Sequence, residues 1–158
     1  VSGIQEIVML CPNCYYFLKD KLEIQVLSIY EKLSQLGIGR KVEGEGRLFL
    51  PCPDREEQQW VSWLNPFFQQ EPEIIKGTQC CGLGGCAGGK EPDLARDMAC
   101  HVAEEGYKKV YTYCASCAGN LTRNGCKGVS HLLTEILDCH EQPDVAKSML
   151  NRMMTRFW

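Results

Sequence analysis

One pattern constrains this chain more than any other: short apolar, β-branched runs end on cysteine, and a helical stretch follows each. Residues 6–10 (EIVML) read as a buried strand ending on Cys11. Residues 47–50 (RLFL) end on Pro51-Cys52-Pro53, and residues 109–113 (KVYTY) end on Cys114. Two further short strands are expected at 24–27 and 73–76, the second leading into Cys80-Cys81-Gly82. Helices are expected at 15–21, 29–36, 92–105 and 132–137, with Gly37 and Gly106 as stops. Asp54 can cap another helix running through Phe68. On the 92–105 helix, Leu94, Met98 and Val102 fall on one face. Strand–helix alternation predicts an α/β fold, a mostly parallel sheet with flanking helices and cysteines at strand C-terminal ends.

The pattern also repeats. Aligning Cys11 with Cys114 brings Cys14 onto Cys117, Leu18 onto Leu121 and Val26 onto Val129. A one-residue slip then brings Glu31 onto Glu135 and Leu33 onto Leu137. Such self-similarity implies duplicated structural units. The first copy lacks an upstream half like 47–110. The expected organisation is therefore the C-terminal half of a first module at 1–40, a complete module at 41–142, and an amphipathic C-terminal helix at 143–158. In that helix Val145, Met149, Met153 and Phe157 recur every four residues. It either docks on the fold or contacts a partner subunit or a membrane surface.

Eleven cysteines in 158 residues suit either a secreted disulfide scaffold or an intracellular metal or redox protein. The N-terminus (VSGIQEIVML) has no basic region and no small-residue cleavage site. The cysteines sit in metal-style pairs. Both points favour an intracellular, cytoplasmic metal or redox protein, with peripheral contact at the inner membrane face as a variant. No apolar run approaches the roughly 18 residues of a membrane span. A formal charge of −3 argues against a nucleic-acid partner.

The chemistry lies in the spacing C-x27-C-C-G-x31-C-x-x-C, from Cys52 through Cys80 and Cys81 to Cys114 and Cys117. Loops after parallel strands converge on one sheet edge, so these distant cysteines can meet there. Five thiolates exceed what tetrahedral zinc requires. They suit an iron–sulfur cluster, whose soft irons prefer thiolate sulfur. Gly82, Gly84, Gly85, Gly88 and Gly89 let the backbone approach closely and aim N–H groups at sulfur. Cys80 and Cys81, adjacent on an extended backbone, are expected to point in different directions. Two alternatives stay open: a structural zinc module that mediates assembly, and a metal-free thiol switch centred on Cys86 with Cys80 or Cys81. No nucleotide-binding glycine fingerprint follows a strand, so any flavin would sit on a partner.

Other residues carry blander expectations. Cys100 reads as a small core residue, whereas Cys126 and Cys139 suggest no role. His131 reads as a helix start, with contact to the cluster surroundings as the alternative. His101 and His140 are expected on the surface. Trp60, Trp63, Phe67 and Phe68 are expected to pack the core or cover the cluster, and Arg55 and Glu56 to form a solvated first turn.

The segments LPCPD at 50–54, QCCGLGG at 79–85, EPDLARDMACHVAEEG at 91–106, YCASC at 113–117 and HLLTEIL at 131–137 resemble the cysteine-rich CCG domain family. Its members include the B subunit of heterodisulfide reductase and the iron–sulfur subunits of glycolate oxidase. The resemblance implies an iron–sulfur oxidoreductase subunit working with a flavin-containing or other redox partner. It implies a [4Fe–4S] cluster, non-cubane in heterodisulfide reductase, on Cys52, Cys80, Cys81, Cys114 and Cys117. Cys11 and Cys14 match the closing C-x-x-C of a preceding module. Pro53 departs from the family, which often has histidine after this cysteine. Cys86 is an extra cysteine close to the motif.

Overall fold

The computed structural model describes residues 3–43, 45–77, 80–84, 87–139 and 144–155. Every strand pairing in it is parallel. Strand β1 (Glu6–Met9) pairs with β2 (Gln25–Ser28). A four-stranded sheet has the order β4-β3-β5-β6, from β3 (Arg47–Leu48), β4 (Glu73–Ile74), β5 (Val110–Thr112) and β6 (Val129–His131). Helices connect them: α1 (Pro12–Leu18), α2 (Ile29–Leu36), α3 (Gln59–Leu64), α4 (Ala87–Lys90), α5 (Pro92–Glu104), α6 (Ala115–Arg123) and α7 (Leu132–Ile136). This is the α/β architecture with flanking helices that the alternation implies.

The repeat is visible in three dimensions. Cys11 precedes α1 at φ −110°, ψ 121°, and Cys114 precedes α6 at φ −125°, ψ 117°. Both carbonyls open their helices, accepting from Tyr15 N and Ala118 N. Val26 pairs with Ile7 as Val129 pairs with Val110. Ser28 then caps α2 and His131 caps α7, each with its side chain. The correspondence needs no slip: buried Leu33 and buried Ile136 hold equivalent places, because both helices start at the same point after their strands. Leu137, aligned with Leu33 by the slipped register, is 42% exposed.

Sheet alternation sends neighbouring side chains to opposite faces. Leu48, Leu50, Tyr111 and Tyr113 join one core with Tyr15, Tyr30, Trp60 and Leu132. Phe49 and Val110 join a second core with Val102, Leu121 and Val129, which also holds Cys81, Cys114 and Cys117. Apolar cover on both faces is what a parallel sheet requires, and it explains the unbroken apolar runs in its strands. Trp60 is wholly buried, stacked on Tyr113 and edge-on to Tyr15 and Tyr30. Tyr15 and Tyr30 belong to the β1–β2 half, so these rings knit the two sheets together, each pair contributing about 1 kcal/mol beyond area burial.

Three local expectations need correction. The helix after Asp54 is not continuous: Gln58 sits at φ 49°, and Pro66 lies in a 3-10 turn over Asn65–Phe67. Helix α5 buries Ala95, Ala99 and Val102, leaving Leu94 55% exposed. Small residues face inward there because the loop after Cys81 packs against them. Cys100, expected in the core, is half-buried, with its sulfur 3.8 Å from the Asn124 carbonyl. The tail forms α8 (Ser148–Met154), on which Met149 and Met153 are exposed; Phe157 lies outside the described residues. Among the described residues no helix is long and apolar enough to cross a membrane.

Candidate metal centre

Strands β3, β4 and β5 run parallel, so the loops carrying Cys52, Cys80-Cys81 and Cys114-x-x-Cys117 leave the same edge of the sheet. The five sulfurs form two groups there. Cys52 and Cys80 face each other at 3.9 Å near the surface. Cys81, Cys114 and Cys117 are buried. The Cys117 thiol lies between the other two and hydrogen-bonds both. Adjacent Cys80 and Cys81 thus belong to different groups. Cys11, the N-cap of α1, and Cys14 within α1 form a separate pair, in which the Cys11 hydrogen bond pushes the Cys14 thiol up. Cys86 and His140 lie outside the described residues.

The electrostatics of the buried group are asymmetric. The Cys117 thiol, donating to Cys114, brings that residue down to about 6, helped by the backbone N–H groups of Cys117 and Ser116. Cys81 falls to about 7, chiefly through Cys117, with the Leu83 N–H also aimed at its sulfur. Cys117 is pushed far up as the shared proton donor. Burial and the neighbouring Cys80 push Cys52 up, while the Arg55 cation opposes them. Helix N-termini and nearby donors stabilise thiolate in just this way.

The glycine after the cysteine pair is needed for its backbone. Gly82 has φ +82°, and a Cβ there would lie 1.9 Å from the Ala95 carbonyl oxygen. Its N–H points at the Cys80 sulfur, 3.3 Å away. Asn120, buried on α6, donates its side-chain amide to the Cys81 carbonyl. Asn120 was not singled out in the sequence; its position three residues after Cys117, on the helix face that returns to the sulfurs, is the signal for it. His131 caps α7 through Nδ1, and its other ring nitrogen hydrogen-bonds the Tyr113 carbonyl beside Cys114. Burial lowers its ring to about 4, so it is a neutral helix start.

Among the described residues, no three Cys, His, Asp or Glu side chains form a preformed cage for a metal ion. The donor set nonetheless suits a soft, anionic multi-metal group. Five sulfurs lie on one edge, and backbone N–H groups are already aimed at them. Arg55, expected in solvent, instead donates to the Leu50 carbonyl at 2.9 Å and lies over the Phe49 ring. Its Nη1 is buried without a hydrogen-bond partner among the described residues. A cationic donor beside Cys52 is therefore left over for an anion.

Residues 69–122 match the CCG family model, a cysteine-rich domain. The match spans Cys80, Cys81, Cys114 and Cys117 but not Cys52, Cys11 or Cys14. No curated protein matches the sequence. The family is compatible with iron–sulfur or other metal-dependent redox chemistry.

Proposed function

We propose that this chain is an iron–sulfur cluster-binding domain of a heterodisulfide reductase-like oxidoreductase. Cys52, Cys80, Cys81, Cys114 and Cys117 would hold the cluster, of [4Fe–4S] type. The observation that carries the reading is the convergence of three cysteine loops on one sheet edge, with backbone N–H groups aimed at their sulfurs.

When bound, the cluster supplies reversible electron transfer or a soft site for a thiol or disulfide. The chain's own residues prepare that chemistry. The lowered Cys81 and Cys114 thiols offer thiolate at neutral pH, the form that ligates metal. The N–H groups of Gly82, Leu83 and Ser116 would compensate sulfur charge and so tune the potential. Arg55 balances negative charge at the Cys52 end. A cleft of about 790 Å³ between α6 and α8, lined by Leu83, Ser116, Asn120, Arg123 and Met149, opens beside Cys81 and Cys114. It offers a redox partner, flavin-containing or otherwise, an approach to the site in the cytoplasm. Cys11 and Cys14 would be the closing pair of a preceding module.

A structural zinc module is the second reading, because tetrahedral zinc needs only four of the five thiols. Single Cys→Ser variants at the five positions, purified without oxygen, separate the two. A cluster site loses most of its iron in at least four of the five variants. A zinc site, needing four ligands, keeps one zinc per chain when one cysteine of the five is lost.

A further inference from the structure

Asp54 is a wholly buried carboxylate, 0% exposed, two residues after Cys52. Its Oδ1 accepts from the Tyr16 hydroxyl and from the Trp60 backbone N–H at 3.1 Å, and its Oδ2 accepts from the Tyr113 hydroxyl at 2.6 Å. All three donors are neutral. The Trp60 contact is not the cap that the sequence suggests: α3 starts at Gln59 after Gln58, and Asp54 reaches an amide of its first turn from six residues upstream. Burying a charge with neutral donors is costly, and the other two bonds show where the cost is directed. Tyr113 immediately precedes Cys114, and Tyr16 lies on the helix that carries Cys14. One carboxylate therefore joins the Cys52 loop, the Cys114 strand and the Cys11–Cys14 element. Burial and the Asp54 charge both push the Tyr16 and Tyr113 phenols well above the usual tyrosine range, so the two hydroxyls remain donors.

We propose that Asp54 is a positioning residue for the sulfur centre: its hydrogen bonds fix the Cys52 loop against the Cys114 strand, and its buried charge opposes electron uptake there. The second half rests on the cluster reading above; the first does not. Only Pro53 separates Asp54 from Cys52, so their Cα atoms lie within roughly 8 Å. A unit charge about 10 Å from a redox centre, at an effective dielectric of about 20, changes an equilibrium about tenfold or more.

Two measurements test this. In anaerobically reconstituted protein, Asp54→Asn should keep its iron and become about tenfold easier to reduce, a positive shift of about 59 mV for one electron. Tyr113→Phe keeps the charge and removes one bond, so it should give no positive shift. An unmoved potential in Asp54→Asn, or an equal positive shift in Tyr113→Phe, overturns the electrostatic role. In metal-free protein, Cys52 alkylation by iodoacetamide is read by peptide mapping against the exposed Cys139. Asp54→Asn and Tyr113→Phe should each speed Cys52 several-fold and leave Cys139 unchanged; an unchanged Cys52 rate overturns the positioning role. Should Asp54→Asn fail to fold, Tyr113→Phe and Tyr16→Phe decide by the same alkylation ratio. Wild-type protein that takes up no iron overturns the cluster reading and with it the electrostatic role. The alkylation result then still decides the positioning role.

Discussion

The chemistry of single residues here is set by which sulfur holds the proton. Cys117 hydrogen-bonds Cys81 and Cys114 and keeps the one proton they share, so the folded chain favours thiolate at those two positions, near 7 and near 6. That contribution to stability is present at alkaline pH and is lost as pH falls through those values. The three thiols titrate as a unit. In metal-free protein, thiolate absorbance near 240 nm should therefore fall in steps as pH drops from 8 to 5, and Cys117→Ala should move those steps upward. His131 has the same sign for a different reason. Burial lowers its ring from 6.5 to about 4, so the unfolded chain takes up the proton first. Stability should decline as pH falls from about 6.5 towards 4. His131→Asn, which keeps a cap acceptor, should lose that part of the decline in urea titrations across this range.

At the scale of elements, the loop after Cys81 depends on α5 and α6. Gly82→Ala combines a positive φ with a clash against the Ala95 carbonyl, and should cost at least about 2 kcal/mol in denaturant unfolding. Asn120→Ala leaves the buried Cys81 carbonyl without its donor and should cost about 1–3 kcal/mol. Much of this architecture was legible in the sequence, because β-branched runs ending on cysteine mark both the strands and the edge where the sulfurs meet. The 29–36 helix was legible to the residue from its apolar spacing and the Gly37 stop, and the structure adds Ser28 as its cap. What was not legible depends on tertiary contact. Asp54 reads as a helix cap because its partners Tyr16 and Tyr113 lie 38 and 59 residues away. Helix α5 turns Ala95 and Ala99 inward rather than Leu94 because Gly82 packs there, which no helical periodicity reveals. Arg55 reads as solvated because its anchor, the Leu50 carbonyl, is a backbone group.

For the whole molecule, two parallel sheets share one aromatic seam through Trp60, and the β1–β2 half repeats the β5–β6 half. The seam makes the halves one cooperative unit. Trp60→Ala should destabilise by about 3–5 kcal/mol, and fluorescence and circular dichroism should then still report a single transition. The sulfur edge lies beside this seam, with Asp54 tying the two together. The central claim is that this edge holds a multi-iron cluster. Quantifying iron, zinc and acid-labile sulfide in protein reconstituted without oxygen tests it most directly. The account predicts several irons with matching sulfide per chain, and broad visible absorbance. One zinc per chain, with neither iron nor sulfide, would contradict it.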